Sequence, residues 1–187
     1  ELMKQYYGKL AKTEEDGVTA FNTTFAQDGI VLYIPKGVIV ERPIQLINLL
    51  RSDVDLMVNR RVLIILEENA QARMLICDHA MDKVNFLATQ VVEIFAGTHS
   101  TLDLYEIEET SEQTTRVSNM FVRQDAESNV LLNNMTLYNG RTRNTTVVTL
   151  DGEGAETNLC GMAIADKEQH VDNCTKIDHV APRCNSN

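Results

Sequence analysis

The sequence has no tryptophan, only five tyrosines and only five phenylalanines. That scarcity counts against a groove walled with aromatic rings for stacking on sugars. Lysine and arginine total 17 against 27 aspartates and glutamates, a net charge of −10. So large a shortage of positive charge excludes the phosphate-neutralising face that nucleic acid or an anionic membrane requires. No apolar run approaches the length of a bilayer span. Four cysteines (Cys77, Cys160, Cys174 and Cys184) are too few and too unevenly spaced for the disulfide framework of a small secreted domain. They read as free thiols in a reducing cytoplasm. In that compartment the four Asn-x-Ser/Thr triplets at Asn22, Asn134, Asn144 and Asn173 carry no glycan. Gly152–Glu153–Gly154–Ala155 is not followed by the Gly-Lys-Ser/Thr of a phosphate loop, and no Ser–His–Asp arrangement stands out. The opening Glu1–Leu2–Met3–Lys4 is neither an initiator methionine nor a signal peptide, and Cys184–Asn185–Ser186–Asn187 stops in mid-pattern. The chain therefore reads as an internal piece of a longer protein, truncated at both ends.

What is present is a repeat. Four segments carry a small residue after an apolar run and before a short alternating stretch. Aligned on Ala72, Ser100, Ser128 and Ala155, they are spaced by 28, 28 and 27 residues. A fixed period of this size means stacked near-identical units, none able to bury a core alone. The apolar runs are β-rich: Val62–Leu63–Ile64–Ile65–Leu66, Val91–Val92–Glu93–Ile94–Phe95, Met120–Phe121–Val122 and Thr145–Thr146–Val147–Val148–Thr149–Leu150. A second strand follows each small residue. Two strands and two turns fill about 28 residues. The expected fold is all-β, a flattened parallel β-helix with coils about 4.8 Å apart. An antiparallel sandwich is the rival, but it gives no reason for the period, and only Asn139–Gly140 offers a good hairpin turn. Residues 1–17 are expected as a lead-in with a short helix that ends near Glu14–Glu15–Asp16–Gly17, and residues 18–187 as the β-helix core.

Two motifs narrow the reading further. The segment from Ala20 to Ile44 contains Asn22–Thr23–Thr24–Phe25–Ala26–Gln27–Asp28–Gly29 and Tyr33–Ile34–Pro35–Lys36–Gly37–Val38. The segment from Val171 to Asn187 contains Lys176–Ile177–Asp178–His179–Val180–Ala181–Pro182. Both resemble the SufB/SufD family of iron–sulfur cluster assembly proteins, and the Asn-Thr-x-Phe-Ala-Gln-Asp-Gly lead looks more like SufD. The resemblance implies a right-handed β-helix that pairs with a SufB-like subunit, a C-terminal helical region that docks on the ATPase SufC, and a cytoplasmic scaffold for transient Fe–S clusters. It implies no enzymatic activity in this chain. A homodimer through the β-helix is a further expectation. The family's cluster-site cysteine and histidine and its SufC-binding helices lie beyond residue 187, so they map onto no position here.

Each residue that could carry chemistry also has a plainer role. His170, Cys174, His179 and Cys184 fall within fifteen positions and are zinc- or iron-binding types. Of these, Cys174, His179 and Cys184 are the candidate metal residues. Strand alternation would send Cys174 and His179 to opposite faces, so ordinary positions in the last coil are the plainer reading. Cys77–Asp78–His79 is a second cluster with the same difficulty. His99 reads as a turn residue. Asp103, Glu106, Glu108 and Glu109 could pair as glycosidase carboxylates but are expected in a solvated turn. Arg51, Asp53, Asp55, Arg60 and Arg61 read as a loop or an exposed strand. Two other functions compete with the scaffold: a carbohydrate-active β-helix, and a structural β-helix that polymerises end to end.

Overall fold

The computed structural model describes residues 2–187. Two short helices open the chain, α1 (Leu2–Tyr6) and α2 (Gly17–Phe25). Asp16 caps α2, its carboxylate accepting from Thr19 N–H at 2.6 Å. Residues 18–25, expected in the β-helix core, therefore belong to the helical lead-in, and the first strand starts at Asp28. The Val18–Thr19–Ala20–Phe21 stretch has strand-like residues, but the Asp16 cap and burial against the sheet below fix it as helix.

Twelve strands follow. The first six are β1 (Asp28–Ile34), β2 (Ile44–Leu50), β3 (Leu56–Leu66), β4 (Gln71–Ala80), β5 (Phe86–Ala96) and β6 (Thr101–Glu109). The rest are β7 (Thr114–Gln124), β8 (Asn129–Tyr138), β9 (Arg141–Leu150), β10 (Glu156–Ala163), β11 (His170–His179) and β12 (Asn185–Ser186). Odd strands form one sheet in the order β1-β3-β5-β7-β9-β11, and even strands form the other, β12-β10-β8-β6-β4-β2. Every strand pairing is parallel, which removes the antiparallel sandwich. The chain alternates between the sheets, so each coil is one odd and one even strand, and about five turns of about 29 residues build a parallel β-helix. Asn139–Gly140 joins β8 to β9 across the two sheets rather than closing a hairpin. Glycine is required there because a Cβ would stand 2.3 Å from Glu112 O.

The register shifts one of the aligned positions. Gln71 pairs with Thr101, Thr101 with Asn129, Asn129 with Glu156, and Glu156 with Asn185. The residue stacked on Ser100 is therefore Ala70, not Ala72, and the column runs Ala70, Ser100, Ser128, Ala155, Cys184. Its first four members are fully buried at a tight corner where bulk would not fit. Ala72 instead faces the core two residues further on.

Each corner also holds a residue in the left-handed region: Asn69, His99, Glu127, Gly154 and Arg183, with φ of 59°, 57°, 52°, 71° and 59°. Their amides donate from coil to coil, His99 N–H to Ala126 O and Glu127 N–H to Glu153 O, both at 2.9 Å. This ladder holds non-glycine residues where they cost about 1–2 kcal/mol. Gly154 shows the relaxed solution. Glu127→Gly is expected to stabilise the protein by about 0.5 kcal/mol, after about 0.5–1 kcal/mol is returned to chain entropy. Thermal denaturation checks this; a lower Tm would mean that the Glu127 side chain, not the backbone ladder, holds the corner.

The core fills the half of the coil nearest these corners. Val62, Ile64 and Leu66 of β3 face Ala72, Met74 and Ile76 of β4, and equivalent residues repeat through Val148 and Leu150. A smaller cluster of Leu50, Phe86 and Ala88 fills the opposite end of the first coils. Between the two clusters the interior is polar.

Candidate functional site

Strand alternation carries charge into the coil. On β4, Ala72, Met74 and Ile76 point inward, so Asp78 does too. On β6, Leu102 and Leu104 point inward and are followed by Glu106 and Glu108. Arg60 of β3, Gln90 of β5, Arg116 and Ser118 of β7, and Asn144 of β9 face them from the odd sheet. All of these are buried. The acidic stretch expected in a solvated turn is thus half inside the molecule, and Arg60 is a buried lumen residue rather than part of an exposed segment.

Asp78 is the hub. Both its oxygens lie 2.5 Å from Arg60 Nη2, Arg116 Nε donates to it at 2.7 Å, and Asn48 Nδ2 at 2.9 Å. Burial works against its charge, but the two guanidiniums overcome that and hold its pKa at about 2. Burial likewise works against the Arg116 cation, but the neighbouring carboxylates, Asp78 foremost, hold it firmly protonated. Glu106 accepts from Gln90 Nε2 at 2.7 Å and from Asn134 Nδ2 at 3.1 Å, with Arg116 Nη2 at 3.6 Å. Glu108 is different. Burial pushes its pKa up, and its close partners are the hydroxyls of Thr142, Thr110 and Thr136. Arg116 Nη1 continues the network to Asn144 Oδ1 at 2.7 Å, and Asn144 Nδ2 donates to Asn173 Oδ1 at 2.9 Å. Beside Glu106, Asn134, Asn144 and Asn173 lies a cavity of about 160 Å³, closed on its apolar side by Leu132 and Leu159.

A second buried charge pair lies outside the coil. Arg61, one residue after Arg60, points outward beneath the lead-in and meets Glu93 at 2.8 Å. Glu93 also accepts from the amides of Gly8, Leu10 and Ala11 at 2.8, 2.9 and 3.1 Å. The Tyr7 ring stacks on the Arg61 guanidinium, 4.7 Å from its centroid. One carboxylate thus straps the lead-in to the outer face of the odd sheet. Consecutive arginines serve the two sides of one strand, a consequence of period-2 alternation.

The other candidates are dispersed. His170 and His179 sit at opposite ends of β11, roughly 30 Å apart at strand rise. Cys174 is exposed on the outer side of β11, whereas Asn173 and Ile177 pack inward, so the predicted divergence of Cys174 and His179 holds. His179 Nε2 lies 3.0 Å from Ser186 Oγ, and Cys184 donates from the corner column to Gly152 O at 3.3 Å. Among the described residues no three His, Cys, Asp or Glu side chains are arranged to hold a metal ion. Cys77, Asp78 and His79 diverge as neighbours on a strand must. Cys77 takes Gln45 Nε2 at 3.8 Å, Asp78 enters the lumen, and His79 meets Glu109 at 3.5 Å outside. His99 stands at its corner, 3.2 Å from Glu127. All four cysteines are free, and no helix among the described residues is long and apolar enough to cross a membrane.

Comparison with known families matches residues 49–187 to the SUF system FeS cluster assembly, SufBD core domain, and residues 1–46 to the SufBD protein N-terminal region. The chain belongs to the SufB/SufD family. It is 26% identical over 190 residues to the iron-sulfur cluster assembly protein SufB of Bacillus subtilis (strain 168), a match that covers all of this chain and 40% of that protein. The SufBD core match covers β3 to β12 and with them almost the whole charged lumen. The SufBD N-terminal match contains both helices and β1, so the first strand of the β-helix belongs in sequence to the N-terminal region.

Proposed function

We propose that this protein is a non-catalytic scaffold subunit of a cytoplasmic iron–sulfur assembly complex. It pairs with a SufB-like subunit, and ATP chemistry is supplied by a SufC-like ABC-type ATPase. The observation that carries the reading is the SufBD core match, which runs through every coil from β3 onward. The Asn22 to Gly29 lead supports a SufD-like place in that pair. In this reading the Fe–S cluster is transient cargo and not a resident cofactor. In this reading pairing runs through the β-helix, with a SufB-like subunit or a second copy, and family membership is what supports it.

The test is anaerobic co-purification with SufB- and SufC-like partners, followed by size-exclusion chromatography and iron and sulfide assays. The expected result is a ternary complex carrying iron and sulfide, and no ATP hydrolysis by this chain alone. Elution apart from both partners, without iron or sulfide, would overturn the reading.

A further inference from the structure

The lumen encloses two guanidiniums, Arg60 and Arg116, against three carboxyl groups, Asp78, Glu106 and Glu108. The other buried charges among the described residues, Arg61 and Glu93, neutralise each other outside the coil. Left fully ionised, the lumen holds one negative charge too many in a region that solvates charge poorly.

The partners of each carboxyl decide where the imbalance is met. Asp78 is held by Arg60, Arg116 and the Asn48 amide, which present only N–H groups. Glu106 is held by the amides of Gln90 and Asn134, with Arg116 beyond. An N–H donor cannot accept a proton from a carboxylic acid, so these partners fix both groups as carboxylates. Glu108 is held by hydroxyls alone. Thr142 Oγ1 lies 2.8 and 2.9 Å from its two oxygens, and Thr110 Oγ1 and Thr136 Oγ1 lie at 3.3 Å. A hydroxyl donates to a carboxylate and accepts from a carboxylic acid with a turn of its own proton. Of the three carboxyls, only Glu108 sits in a cage that serves either state without moving an atom heavier than hydrogen.

We propose that Glu108 is a proton-binding site, carrying at neutral pH the proton that makes the interior of the β-helix electrically neutral. Of the charged groups packed against it, Arg116 alone favours the ionised form, and burial outweighs it. β4 brings Asp78, whose charge opposes a second anion, and β7 brings Arg116, already shared with Asp78 and Glu106. β8 and β9 bring only Thr136 and Thr142, and His170 contributes its backbone carbonyl to Asn139 while its exposed imidazole stays outside. Burial against these neighbours raises the Glu108 pKa, in the same direction as the charge count.

The experiment reads the carboxyl directly. In protein labelled with carbon-13 at glutamate carboxyls, the Glu108 signal is the one missing from the Glu108→Gln variant. It should remain that of the neutral acid while exposed glutamates ionise near pH 4.5, and change only above neutrality. Ionisation together with the exposed glutamates would overturn the proposal. Amide substitution gives a second reading. Glu108→Gln should keep a Tm at or above the native value at neutral pH, whereas Glu106→Gln and Asp78→Asn should lower it. An equal loss at Glu108 would overturn the assignment. Thr142→Val, which removes the nearest hydroxyl from the ionised form, should move the Glu108 titration still higher; a downward shift would count against the cage.

Discussion

Asp78→Ala is expected to destabilise the protein by about 3–5 kcal/mol. The substitution strips the shared partner from Arg60 and Arg116, leaving two guanidiniums buried with too few acceptors. The penalty comes from the stranded cations rather than from the lost attraction, and a second substitution set separates the two. Replacing Asp78, Arg60 and Arg116 together with apolar residues of similar volume should recover most of the loss, because a buried ion network is rarely more stable than good apolar packing. Urea denaturation of the single and triple variants checks this; an Asp78→Ala protein as stable as the native one would mean the network lies open to water. The pH dependence has a definite sign. The folded pKa of Asp78 is about 2 against an ordinary 3.8. Its contribution is therefore complete above pH 3.8 and is lost as the pH falls through about 2, a change of about 2 kcal/mol. Glu108 acts in the opposite direction: its raised pKa removes stability as the pH rises above 4.5.

The architecture was legible because its signal is repetition. The stacked small residues and apolar runs announce coils of nearly constant length, and the strands fall where those runs lie. The two-residue error at Ala72 arose because alanine stands both at the corner, as Ala70, and on the core face, as Ala72. Size alone does not distinguish the two. The lead-in is longer than expected because Thr and Val in α2 have strand propensity, and burial of α2 against the odd sheet overrides it. The charged lumen was missed for a different reason. A run of acids such as Glu106 to Glu109 ordinarily marks solvent. Yet the alternation set by Leu102 and Leu104, continued without a break, already points Glu106 and Glu108 inward, and Met74 and Ile76 do the same for Asp78. Pattern was the better guide than polarity. The hydrogen-bond partners that hold Asp78 and Glu106 come from positions 16 to 38 residues away, and a sequence period does not reveal which row faces which.

Val130→Asp has the second large effect, and it tests that alternation where the interior is apolar. Val130 is fully buried on β8, stacked between Leu102 of β6 and Thr157 of β10 and packed in the core with Val148 and Leu150. No arginine or lysine belongs to that cluster. An aspartate there has neither a cation nor a set of donors, so it must bury a charge or take up a proton, and both are expensive. The expected loss is several kcal/mol, enough to unfold a protein of ordinary stability at moderate temperature. The adjacent Leu131→Asp should cost far less, because Leu131 is half-exposed on the outer side of the same strand. The two buried aspartates also respond to acid in opposite ways. Val130→Asp should be least damaging at low pH, where the new carboxyl is neutral, and worse as the pH rises. Native Asp78 protects the fold at neutral pH and fails in acid because its two arginines hold it ionised. Thermal denaturation of Val130→Asp and Leu131→Asp across pH distinguishes these cases. Equal losses at positions 130 and 131 would mean that the strand does not present alternate faces to core and solvent. A Val130→Asp penalty independent of pH would place it in steric packing rather than in charge.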